Sequence, residues 1–439
     1  MNELNFLSAP LPYGIEEEIA RGNFNIARRI IKRYLNRDIP ALLRKRLKYE
    51  LERMRRLKID FPYTREKALQ ILRKELKNFK DEELDRWISM GIVDRMIING
   101  EERFFRSFFP NIIFLKPSVK KRKLKEDKLG NYIKNQIDKS IKRINSGEVR
   151  KYRVQAGIKL HIKKKIPEGE RYRIWLPLPR ENFQISKVRI LRAEPENYYL
   201  SDEDYGQKTV YFESSQRDHL LEFIYEIEEV KGGLEGEVKE DYLREKAPHV
   251  IFTPYLKELA DAIVEGTEED YEKALRIYTW VTSHMNYTYV RAYSTYDNIS
   301  EFAASSLRGD CGFMALLFIS LSRICGIPAK WQSGWFITPK HASPHDWAQV
   351  YVDGKWLSVD PSFGNLGRHG TLRNSFYFGN SDAFRMIAND DFQVDFVPEK
   401  EFIRSDPMDN QIGEVEWSGG NIYTDKFSSR LYVKEFKRI

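Results

Sequence analysis

Two cysteines occur in the chain, Cys311 and Cys325, and the first has neighbours suited to nucleophilic chemistry. Cys311 lies in Gly-Asp-Cys-Gly at 309–312 and is followed by Met314, Leu316, Leu317, Phe318, Ile319, Leu321 and Ile324. Such an apolar run reads as a buried helix capped near Asp310, stopped by Gly326 and Pro328 after Cys325. The thiol then sits at a helix N-terminus, where unpaired N–H groups stabilise a thiolate and can lower a cysteine pKa to about 3.5–7.5. His345 opens His-Asp-Trp at 345–347, and Asp360 lies in Val-Asp-Pro at 359–361. A thiol, an imidazole base and a carboxylate that orients the base are the parts of an acyl-transfer triad.

The elements that must bring these residues together are legible nearby. Residues 346–352 alternate in the manner of a strand, Asp353-Gly354 is a two-residue hairpin turn, and 355–360 read as the return strand. That register sets Asp360 opposite Trp347 and diagonal to His345 on one face, within reach of an imidazole–carboxylate hydrogen bond. Cys325, near the end of the apolar helix and with no histidine close in sequence, reads as structural. His341 precedes Ala342-Ser343-Pro344 in an expected loop, so His345 is the base of choice.

With Arg-Gly-Asp-Cys-Gly-Phe, Ser-Arg-Ile-Cys-Gly-Ile-Pro-Ala-Lys, His-Asp-Trp-Ala-Gln-Val-Tyr-Val and Lys-Trp-Leu-Ser-Val-Asp-Pro-Ser in this order, the stretch from about Tyr271 to Tyr377 resembles the core of the transglutaminase-like superfamily. The resemblance implies a papain-like thiol-enzyme fold with Cys311 as nucleophile, His345 as general base and Asp360 as its orienting acid. It also points to an upstream aromatic residue at the oxyanion site. Trp280 could fill that role or belong to the core, and Tyr287 and Tyr289 are competing donors beside the backbone N–H of Cys311.

Length and patterning divide the 439 residues into several units, an α+β multidomain architecture. Residues 1–115 read as a helical domain, with one amphipathic pattern from Ile15 to Leu35, a second from Leu42 to Leu57, helices capped by Thr64 and Asp81, and a hairpin through Asn99-Gly100. The acidic start of the Asp81 helix argues for a docking or regulatory role over DNA binding. A basic linker helix occupies 116–150, where Lys120-Lys121-Arg122-Lys123 precedes Leu129, Ile133, Ile137, Ile141 and Ile144 at helical spacing. Period-two alternation from Tyr152, with strands near 171–176, 186–193, 208–213 and 219–229, predicts a β-sandwich domain over 151–232. The catalytic core then spans 240–380, with helices at 254–264 and 270–284, a flexible loop at 364–370 and a last strand at 376–379. A C-terminal extension, 381–439, is expected to pack on that core, with strand-like alternation at 392–396 and 431–436.

Composition bounds the remaining possibilities. The charge of +8 is a small excess of 73 basic over 65 acidic side chains, which suits a solvated mixed surface better than a nucleic-acid partner. Neither a secretory signal pattern nor an 18-residue apolar span is present, and two cysteines cannot build a disulfide framework, so cytoplasmic residence is expected. No cofactor or metal is called for, and no stretch matches an EF-hand loop. These features together predict a cysteine amidase or peptidase acting on a peptide or protein. Protein crosslinking by amine transfer and a catalytically silent peptide-binding module are the competing readings.

Overall fold

The structure is a computed structural model that describes residues 4–125, 127–202, 205–366 and 370–439. In the region that carries Cys311, four helices, Pro254–Val264, Asp270–His284, Ile299–Ser306 and Cys311–Ile324, pack on an antiparallel sheet. Its strand order is Lys355–Val359, His341–Val352, Ala329–Thr338 and Arg385–Asn389. The helix Cys311–Ile324 is buried all round, from Gly312 to Arg323, because its sequence is apolar on every face. Each of Leu316, Leu317, Phe318 and Ile319 is fully enclosed, and burial of such a side chain is worth roughly 1.5–3 kcal/mol. Packing of the whole helix therefore fixes where its first residue, Cys311, stands.

Residues 13–115 form helices and one hairpin around a core of Ile15, Phe24, Ile31, Met54, Trp87 and Phe108. The single amphipathic pattern expected from Ile15 to Leu35 is broken into Tyr13–Ala20 and Phe24–Leu35. Gly22 makes the break with a φ of +77, and a Cβ there would collide with the Ile97 carbonyl of the hairpin. The basic helix Lys128–Asn145 sends Ile137, Ile141 and Ile144 into the same core as the Cys311 helix, and its Arg143 pairs with the buried Glu229.

Two larger sheets are built from strands between Lys151 and the C-terminus. One has the order Phe427–Arg438, Lys151–Ile162, Asp218–Glu228, Ile185–Glu194; the other runs Gly420–Ile422, Glu414–Trp417, Tyr172–Pro177, Thr209–Ser214, Tyr199–Leu200. Val154, Ile158, Ile174, Phe212, Phe223 and Val415 from both sheets share one apolar cluster, which continues into Trp335 and Trp347 of the sheet that carries His345.

The C-terminal extension is divided between these sheets. Arg385–Asn389 completes the sheet that carries His345, while 414–438 supplies strands to the other two. The strand expected at 392–396 is irregular chain. That expected at 376–379 is replaced by a short helix, Leu372–Phe376, and a single bridge from Phe378 to Val359. The true last strand of that sheet, Arg385–Asn389, is buried on both faces and so shows no alternation. Of the loop expected at 364–370, residues 364–366 belong to the helix Pro361–Leu366, and 367–369 lie outside the described residues. Among the described residues no helix is long and apolar enough to cross a membrane.

Candidate active site

Cys311 is the first residue of its helix, and Asp310 caps it by accepting the Phe313 N–H at 3.3 Å. Gly312 follows for a steric reason. A Cβ at this position would collide with the Tyr293 hydroxyl and lie 2.9 Å from Asp346 Oδ2, so glycine lets both groups reach the helix start. Tyr293 donates to Asp310 Oδ1 at 2.6 Å and lies 3.5 Å from Asp346 Oδ2.

The hairpin through Asp353-Gly354 pairs Ala348 with Val359, so the next residue, Asp360, falls beside the strand position of Trp347. His345 Nε2 is 2.7 Å from Asp360 Oδ2, and both side chains are buried. Asp360 is saturated: Oδ2 also accepts Arg385 Nε at 3.0 Å and Nη2 at 2.6 Å, and Oδ1 accepts Ser362 Oγ at 2.9 Å and the Phe363 N–H at 3.0 Å. Burial would raise its pKa, but the neighbouring His345 and Arg385 charges hold the carboxyl well below its usual range. Arg385 is itself fixed by Asp382 and lies over the rings of Phe363 and Tyr377 at 4.8 and 4.6 Å. The imidazole stacks on Trp347 at 5.6 Å and meets the edge of Phe363 at 4.8 Å.

The thiol has a different partner. Cys311 Sγ donates to Asp346 Oδ2 at 3.3 Å, and no hydrogen bond joins Cys311 to His345 among the described residues. Asp346 follows His345 on the strand, and its backbone N–H also bonds the sulfur, so Sγ lies beside the peptide that links the two residues. Gln411 Nε2 bonds the other oxygen of Asp346 and donates to Asp409 Oδ2 at 2.9 Å. This corrects the expectation of a thiol acidified by its helix end. Enclosure by protein, then the Asp346 and Asp310 carboxyls, push the Cys311 pKa well above its ordinary value and outweigh the helix N-terminus. For the same reason Asp310 rises to about 6, through burial, and Asp346 rises well above the usual carboxyl range, through burial and then Asp409 and Asp310. Cys325 is also pushed up by burial, to about 11.

The upstream aromatic residues separate. Trp280 packs against the core and stacks on His284 at 4.8 Å. Tyr287 is in the short strand Asn286–Tyr287, which pairs in parallel with Arg308–Gly309 just before Cys311. Its phenol is raised well above its ordinary pKa, first by burial and then by Cys311 itself. Tyr289 is held by its backbone N–H donating to Asn111 Oδ1 at 2.8 Å.

Sequence reasoning missed three participants: Tyr293, Asp346 and Arg385. Arg385 had one visible signal, a lone charge inside the apolar run Ala383–Ala388. It also missed how the N-terminal helices hold the loop that carries the tyrosines. Asp60 Oδ2 accepts the Ala292 N–H at 2.7 Å, Tyr49 donates to the Ser294 carbonyl at 3.0 Å, and Arg53 donates to the Thr295 carbonyl at 2.8 Å. Among the described residues no group of three or more His, Cys, Asp or Glu side chains could hold a metal ion.

Residues 257–361 match the family model of the transglutaminase-like superfamily. A Haemophilus influenzae protein, described as uncharacterized, is 25% identical over 189 residues, 38% of this chain and 51% of its own length. The chain thus spans about half the length of that curated relative. Among solved structures, one of a Cytophaga hutchinsonii protein described as a candidate cysteine protease is similar at a TM-score of 0.45 and 14% identity, covering 66% of this chain and 91% of the other. The periplasmic domain of TgpA from Pseudomonas aeruginosa gives a TM-score of 0.30 at 13% identity, covering 52% and 91%.

Proposed function

From the premise that residues 257–361 form a transglutaminase-like domain, we propose that the chain is a cysteine-dependent acyl-transfer enzyme that hydrolyses peptide or amide bonds. The observation that carries this reading is the buried His345–Asp360 pair, locked by Arg385, on the strand that passes the Cys311 thiol. Substrate entry turns Sγ about the Cα–Cβ bond from Asp346 toward the imidazole. His345 takes the thiol proton, the thiolate attacks the carbonyl carbon, and the imidazolium returns the proton to the departing amine. Water, deprotonated by His345, then attacks the thioester, releases the acid and restores the thiol. Asp360 keeps the imidazole oriented and stabilises its cation. The backbone N–H of Cys311, with the Tyr287 phenol, is the proposed pair of oxyanion donors. The contact of Trp280 with His284 favours a packing role for that indole.

The test is a mixed peptide library offered with and without a primary amine, with products identified by mass. Cleaved or deamidated peptides that vanish in Cys311→Ala are expected, and amine-linked products in their place would make the chain a crosslinking enzyme. One observation favours a silent peptide-binding module, the thiol bonded to Asp346 with a raised pKa. On that reading neither protein yields any product.

A further inference from the structure

Tyr287 pairs with Gly309, two residues before Cys311, and the Thr288 N–H donates to the Gly309 carbonyl at 2.9 Å. The segment that carries Tyr287 and Tyr289 therefore runs beside the residues that lead into the nucleophile. The two tyrosine rings meet edge to face at 6.2 Å. Both phenols are raised above their ordinary pKa, first by burial, and the Cys311 charge contributes to each.

A third ring reaches this place from the N-terminal helices. Phe114, on the helix Phe108–Leu115, meets Tyr287 at 5.2 Å and Tyr289 at 6.0 Å, edge on in both cases. Its position is set by Asn111, which is fully buried on the same helix. Asn111 Nδ2 donates to the Tyr289 carbonyl at 2.9 Å and to Asp94 Oδ2 at 2.8 Å, while Oδ1 accepts the Tyr289 N–H at 2.8 Å. Residues three apart share one face of a helix. The amide that grips the Tyr289 backbone on both sides thus also holds Phe114 against the two tyrosines.

This cluster is fixed from behind and open in front. Phe114 is 37% exposed and Tyr289 46% exposed, although both stand where their rings are held by neighbours. The carboxyl that acts on the Tyr289 phenol, Asp127, is engaged in capping its own helix through the Gly130 N–H at 2.8 Å. What the cluster offers to a molecule approaching Cys311 is aromatic surface.

Resting on the acyl-transfer reading above, we propose that Phe114 and Tyr289 form a specificity subsite for an aromatic or large aliphatic side chain of the peptide, close to the carbonyl that Cys311 attacks. An extended peptide advances about 3.3–3.6 Å per residue, so a carbonyl held at the sulfur brings the side chains next to it to the adjoining rings. Contact between rings buries a large apolar area and adds a preference for edge-on or offset geometry. The N-terminal helices then contribute directly to substrate choice, through a residue outside the transglutaminase-like region at 257–361.

The test uses full-length Cys311→Ala, which binds without turnover, titrated calorimetrically near neutral pH. The probes are a tetra-alanine peptide blocked at both ends, four versions with one phenylalanine at each position in turn, and the same four with lysine. A peptide that gives no heat is assigned the weakest detectable affinity. One phenylalanine position should bind at least about tenfold tighter than tetra-alanine. Phe114→Ala, with its urea midpoint checked, should bring that gain below about threefold, Tyr289→Ala should reduce it independently, and Phe114→Leu should retain part of it. The proposal is overturned if no phenylalanine position gains tenfold, if a lysine peptide equals the best phenylalanine peptide, or if the gain survives both alanine variants. None of these results depends on turnover, so the hydrolytic reading is judged separately by the product analysis with and without Cys311.

Discussion

Arg385→Met is the most telling perturbation of the proposed site. The guanidinium is 1% exposed, bonds Asp360 Oδ2 through Nε at 3.0 Å and Nη2 at 2.6 Å, and reaches Asp382 through Nη1. Methionine fills a similar volume between Phe363 and Tyr377 but leaves two buried carboxylates without their cation. Removing one partner of a buried pair costs about 3–5 kcal/mol, because the remaining charge is left uncompensated. Most of that cost should be visible in urea denaturation followed by tryptophan fluorescence, since Trp331, Trp335 and Trp347 are buried in the same sheet. The double variant Arg385→Met with Asp382→Asn removes one orphaned charge and should recover part of the loss, yet leave hydrolysis impaired because Asp360 still lacks its brace. The pH dependence carries a sign. Asp360 is held below its ordinary pKa in the folded chain, so its contribution to stability is full above about pH 4 and declines as pH falls through the folded value. Without Arg385 the depression is smaller, so the gap between the two proteins is widest above about pH 4 and narrows in acid. A loss below about 1 kcal/mol, typical of a surface pair, or a double variant no more stable than the single, would refute the argument.

Asp346→Asn removes the carboxyl that raises the Cys311 pKa, so brief alkylation near neutral pH should label Cys311 faster than in the parent, with Cys325 unchanged; an unaltered rate at Cys311 contradicts the assigned cause. On the proposed reaction, His345→Ala should lower kcat by at least about 100-fold, whereas His341→Ala should have little effect; equal losses would dismiss His345 as the base. Gly312→Ala drives a methyl group into Tyr293 and Asp346 and should cost about 1–3 kcal/mol in a urea titration; a neutral result would mean that this contact is not close in solution.

Local patterns in the sequence were sufficient for much of the architecture. The largely apolar run after Asp310 reads as a buried helix, Asp353-Gly354 sets a hairpin register to the residue, and the alternation from Tyr152 onward marks strands. The transglutaminase-like region was recognisable for the same reason, since its motifs are short and ordered along the chain. Failures came where burial on both faces erased the pattern, as at Arg385–Asn389, or where one glycine split a continuous pattern, as at Gly22.

Local sequence signals set the order and local geometry of the candidate groups: a thiol at a helix start, and an imidazole diagonal to a carboxylate across a two-residue turn. Periodicity and turn chemistry act over a few residues, and they suffice for that. What each group touches is set by packing between distant segments. Asp346 reaches the thiol because Gly312 leaves room, Arg385 braces Asp360 from 25 residues away, and Asp60, Asn111 and Gln411 arrive from opposite ends of the chain. The sign of the Cys311 pKa shift followed from those arrivals. Burial and unscreened charge depend on everything that packs within a few ångströms, and no spacing along the chain encodes that.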